Sequence, residues 1–190
     1  MADNIIELVR KDLDYAPLHK IDPNIQEVKN YAALSNEEKL AQAAIPSVLA
    51  GFFKFTRTDA GCNYILTGGT SKNWLDTLFE DRRNIAVEKV AHYAGISADE
   101  AAVKMEDIAK DAVIIIHEAP GEKPTAEKLR FYMSNQRHNI LVYLPPVLQL
   151  GYLLNDNAID DRTNKMEGPV SSFMHRIEDM LSEGDESKYP

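Results

Sequence analysis

The chain reads as an all-α protein, a single globular multi-helix domain of eight or nine helices with proline-kinked core helices. Three observations carry this. Ser35-Asn36-Glu37-Glu38 and Ser97-Ala98-Asp99-Glu100 each stand before a long apolar run and have capping-box spacing, so that serine and glutamate can satisfy each other's free amides. Apolar residues recur at spacings of three and four through most of the sequence, which is the helical period. No segment shows convincing strand alternation: Val113 to Ile116 has strand propensity taken alone, but it sits inside a capped helical period.

In order along the chain, Ile5, Ile6, Val9 and Leu13 predict a short amphipathic helix over Asp3 to Leu13. Asp22-Pro23 has the form of a helix start, with Asp as cap and Pro at the first helical position. The segment Asn24 to Leu34 would place Ile25, Val28 and Ala32 on one side. From Ser35 a long helix follows through Leu40, Ala44, Val48 and Phe52, bent at Pro46. Thr56 to Glu80 is less regular, punctuated by Gly61, Gly68 and Gly69, with short helices around Cys62 to Leu66 and Trp74 to Phe79. A helix from Asp81 or Arg82 to Ala94 ends at Gly95, a natural left-handed stop. Ser97 then opens a helix whose broad apolar face is Ala101, Met105, Ile108, Ala109, Ala112, Val113 and Ile116. Ala119 to Pro124 is a turn by composition, and Thr125 caps a helix through Leu129, Tyr132 and Met133.

That helix runs into Ile140 to Leu154, which contains no charged residue although 27% of the chain is charged. It is expected to form the central wall of the core. A membrane span needs about 20 apolar residues, and this stretch is shorter and broken by Pro145 and Pro146, so a buried helix is the expectation. Leu144-Pro145-Pro146-Val147-Leu148 echoes Ile45-Pro46-Ser47-Val48-Leu49. The echo is either an internal repeat, with pseudo-repeat halves 35–95 and 97–155, or two apolar proline-bearing helices alike by composition. Gly168-Pro169 starts a last helix over 169–182, with Val170, Phe173, Met174, Ile177 and Leu181 on its apolar face. The domain thus covers 1–182, and 183–190 is a polar, frayed tail.

A formal net charge of −9 and an isoelectric point near 5.0 oppose binding to nucleic acid or anionic membrane through bulk electrostatics. The single cysteine, Cys62, excludes an intrachain disulfide, and the N-terminal residues lack a secretory pattern, so the cytoplasm is the expected compartment.

No motif for catalysis, cofactor binding or metal binding emerges. Thr67-Gly68-Gly69-Thr70-Ser71-Lys72 lacks the second glycine, the Lys-Ser order and the strand of a phosphate-binding loop. Asp156 to Asn164 is rich in oxygen ligands, but no register satisfies a calcium-binding helix-loop-helix. His19, His92, His117, His138 and His175 have no second ligand at zinc spacing. Cys62 reads as a small core residue rather than a nucleophile, and Ser71, Ser134 and Ser171 lack a nucleophile-elbow context.

Three segments, Ala44 to Phe53, Val87 to Ala102 and Leu144 to Asp156, resemble the YidB-like family of uncharacterised bacterial proteins: a helix, a Gly-hydrophobic-Ser turn and a second helix, then a proline-marked apolar helix. The chain departs from the family in lacking the glycines of its Asp-rich loop. The resemblance implies an all-helical fold and no assigned activity. The functional expectation is therefore a non-enzymatic interaction or scaffold module with a protein partner or a second copy of itself. The alternative is a small apolar ligand-binding protein or enzyme, its pocket between the proline-kinked helices and lined by Phe52, Phe53, Tyr143 and Tyr152.

Overall fold

The computed structural model describes residues 4–69, 71 and 73–156. Asn4 caps α1 (Ile5–Asp12), which buries Ile5, Ile6 and Val9 as their spacing predicts. Ser35 and Glu38 form the expected reciprocal box, hydroxyl to amide and carboxylate to amide, and open α2 (Asn36–Phe55). Thr58 caps α3 (Asp59–Leu66) and Asn73 caps α4 (Trp74–Phe79). Next, α5 (Arg83–Ala94) ends at Gly95, whose φ of +71° is the left-handed stop that glycine adopts without strain. Ser97 caps α6 (Ala98–Glu118) and Thr125 caps α7 (Ala126–Leu141). The last described helix is the short α8 (Leu150–Leu154). Single 3-10 turns occupy Tyr31–Ala33, Glu80–Arg82 and Pro146–Leu148. The fold is all-α, with no named strand among the described residues.

Seven of these helices have six residues or more and α8 has five, slightly off the expected eight or nine. Part of the difference lies at Asn24 to Leu34, where no α-helix forms. The Asp22 carboxylate accepts from the Asn24 amide and makes a tight turn rather than a helix cap. Gln26 and Asn30 adopt left-handed φ values of +54° and +62°, which no α-helix passes through. Val28 is buried as predicted, but Ile25 is exposed. The turn is pinned from outside: Tyr93 on α5 donates to Glu27 at 2.6 Å, and Tyr31 donates to the Tyr93 carbonyl. The predicted helix over 169–182 and the tail 183–190 lie outside the described residues.

The central element is α2, not the stretch Ile140 to Leu154. Every residue from Leu40 to Phe52 is buried, so α2 is enclosed on all sides, which suits a helix apolar all round. Packed against it are α1, α4, α5, α6, α7 and α8. Close approach is built in at Gly51, where an added Cβ would stand 3.1 Å from the Cβ of Leu78 on α4. Ile140 to Leu154 does bury Ile140, Leu148, Leu150, Leu153 and Leu154, but as pieces: α7 stops at Leu141, the tandem prolines lead into a 3-10 turn, and α8 follows. Pro46 lies inside continuous helix, so the two Pro-Val-Leu segments have different backbone structures.

Buried polar side chains tie the irregular segments to this core. Gln42, 1% exposed, accepts from the His19 amide at 2.8 Å and donates to the carbonyls of His19 at 2.9 Å and Tyr143 at 2.7 Å. Gln136 on α7 accepts from the Ile5 amide at the start of α1. The Glu106 carboxylate of α6 accepts from the amides of Trp74 and Leu75, capping α4 from another helix.

Candidate functional site

The N-terminal ends of α2 and α6 meet the turn between α5 and α6 and the chain segment that follows α1. Their junction leaves a pocket of about 470 Å³, open to solvent and lined by Tyr15, Asn36, Glu37, Leu40, Gly95, Ile96, Glu100 and Lys104. Each wall follows from a local rule. Gly95 turns the chain sharply out of α5, Ile96 and Ser97 bring it into α6, and the next turn presents Glu100 and Lys104 on one helical face. Asn36 holds the two helix ends together, donating to the Gly95 carbonyl at 3.2 Å. Leu40, 3% exposed, and the partly buried Ile96 and Tyr15 supply apolar surface.

The Ser97 box is half formed. Its hydroxyl accepts from the Glu100 amide, but the Glu100 carboxylate makes no hydrogen bond or ion pair among the described residues and belongs to the pocket lining. The Glu37 carboxylate is likewise without a hydrogen bond or ion pair among them. The Tyr15 hydroxyl is held above the ordinary tyrosine range, first by burial and then by the negative charges of Glu37 and Asp107. It therefore faces the pocket as a neutral group able to donate or accept.

The four aromatics expected between the proline-bearing segments are dispersed. Phe52 is fully buried against Trp74, with ring centroids 5.2 Å apart. Tyr143 is buried, Phe53 is half-buried, and Tyr152 is 58% exposed with the Arg82 guanidinium 4.6 Å from its ring centre. The pocket of 470 Å³ is not lined by any of them.

Cys62 is fully buried; its thiol donates to the Thr56 carbonyl at 3.0 Å, and burial pushes its pKa up. Both facts suit a core residue. Among the described residues no group of three His, Cys, Asp or Glu side chains is placed to hold a metal ion, and no helix is long and apolar enough to cross a membrane. His175, Ser171 and most of the Asp-rich loop lie outside those residues. A different carboxylate pair does appear: Asp111 on α6 stands beside Asp12 at the end of α1, with its Oδ2 buried and facing no donor. Burial, the proton shared with Asp12 and the repulsion between the two charges together push Asp111 up to about 7.

Comparison with protein-family models, curated proteins and solved structures returns no match.

Proposed function

We propose that this chain is a non-enzymatic helical interaction module, and that it engages a protein partner at the end of the bundle formed by the starts of α2 and α6. The observation that supports this is the pocket itself. Its volume lies within the range of natural binding pockets, and its lining combines apolar surface with convergent polar groups. Those groups are carboxylates, an ammonium, an amide and a protonated phenol. None of the lining residues is a Cys, Ser or His, so the pocket holds no serine- or cysteine-type nucleophile with a histidine base, and its charged groups are read as holding a partner group in place. A cytoplasmic setting is part of the proposal, supported by the lone buried cysteine, and the net charge of −9 favours a basic partner over nucleic acid. Divergent membership of the YidB-like family is proposed with it. It is supported by the observed helix, Gly95-Ile96-Ser97 turn and helix in the segment that carries the resemblance.

The test is site-specific photocrosslinking in host extract, with the crosslinker at residue 37 or 104, compared with residue 54 at the far end of α2. The α-helical rise puts residue 54 about 25 Å from residue 37. A discrete adduct from the pocket positions, absent at 54, is the expected result, and with the crosslinker at residue 104 it is lost on Glu37→Lys with Glu100→Lys. Equal labelling at all three positions, or none, refutes the proposal.

A further inference from the structure

The chemistry of the pocket narrows what it holds. Two helices point their N-termini toward it, and a helix N-terminus by itself attracts anions. Here that attraction is already offset: Glu37 and Glu38 occupy the first turn of α2, and Asp99 and Glu100 that of α6. Two of these four carboxylates, Glu37 and Glu100, line the cavity, and Asp107 adds a negative field felt at Tyr15. Lys104 is the single cation in the lining. The Asn36 amide nitrogen gives one of its two N–H groups to the Gly95 carbonyl, and its oxygen remains an acceptor. Acceptors therefore outnumber donors around an apolar floor of Leu40, Ile96 and the Tyr15 ring.

Building on the interaction-module reading, we infer that the pocket takes an organic cation on an apolar stem, and that it does so as an arginine or lysine side chain of the partner protein. The stem lies along Leu40 and Ile96, and the cationic head sits between Glu37 and Glu100. Lys104 opposes entry and so limits affinity for a bare cation. The Tyr15 hydroxyl and the Asn36 oxygen accept from the head group, a guanidinium using more of these acceptors than an ammonium.

Amide chemical-shift titration of the intact chain tests this with four probes: a capped Gly-Arg-Gly peptide, agmatine, inorganic phosphate and sodium hexanoate. The capped peptide is expected to shift Asn36, Glu37, Gly95 and Ile96 saturably. Replacing Glu37 and Glu100 by Gln should weaken it by about two- to fivefold per carboxylate, the size of a partly exposed ion pair. Lys104→Gln should strengthen it. Shifts with agmatine but not the capped peptide would overturn the partner side chain in favour of a free amine. Binding of phosphate or hexanoate through Lys104 would overturn the cation class while leaving a binding pocket in place. If no probe shifts these amides, the pocket-based reading falls along with the inference. Peptide binding unchanged in the double Gln variant overturns the assigned contacts.

Discussion

Gln42→Met tests how the irregular segments are held. Methionine has nearly the volume of glutamine, so the core around position 42 stays filled and the change reports chiefly on hydrogen bonding. Three bonds are lost, and their backbone partners, the His19 amide and carbonyl and the Tyr143 carbonyl, remain. A typical bond contributes about 1 kcal/mol net, and a buried group left without a partner costs about 1–3 kcal/mol. The Tyr143 bond is buried and the His19 pair is partly buried, so water can replace the latter in part. The expected loss is about 2–3 kcal/mol, which for a chain of this size lowers Tm by about 5–10 °C. Urea unfolding followed by the fluorescence of Trp74, the single tryptophan and 3% exposed, measures it. The midpoint should fall with little change in slope. A loss below about 0.5 kcal/mol would show that these bonds do not anchor residues 18–21 and 142–144.

Gly61→Ala should destabilise despite the roughly 1 kcal/mol that alanine gains in a helix, because its Cβ would stand 2.0 Å from the Phe55 carbonyl oxygen; chemical denaturation should show a net loss of about 1–3 kcal/mol. Asp111 has a folded pKa of about 7 against an ordinary 3.8, so the folded state binds the extra proton and stability falls as pH rises between those values. Asp111→Asn should match wild type below pH 3.8 and exceed it by about 1–2 kcal/mol at pH 8, allowing for solvent screening of a half-buried group; parallel pH–stability curves for the two proteins would refute this. Cys62 should react with a thiol reagent only as fast as the chain opens, so labelling that follows thiolate concentration under native conditions would contradict its place in the core.

What was legible in the sequence is what a few consecutive residues decide. The Ser35 box, the Gly95 stop, the Thr125 cap and the helix Trp74–Phe79 each depend on neighbours within about one helical turn, and all appear as expected. Asp22-Pro23 failed because the same side-chain oxygen that caps a helix also closes a tight turn. The turn is held by Tyr93, 66 residues from Glu27 in the chain, which bonds Glu27 and accepts from Tyr31. The pocket was illegible for the same reason: its walls come from residue 15, residues 36–40 and residues 95–104, and Glu100 read naturally as a capping partner for Ser97.

The exchange of central elements has a sharper physical cause, and the signal for it was present. Leu40 to Phe53 is as free of charge as Ile140 to Leu154, so charge alone does not rank them. The prolines do. A lone proline removes one amide donor and crowds one carbonyl, costs that a helix packed on every side can absorb, and α2 continues through Pro46. In a tandem pair the second proline also restricts the first, and Pro145 adopts an extended backbone, with ψ of 124°. Helix cannot pass that point whatever the flanking residues prefer. The apolar side chains of Ile140 to Leu154 are buried all the same, because burial depends on their composition. Only an unbroken helix, however, can run through a core and offer all its faces to neighbours, and that role passes to α2.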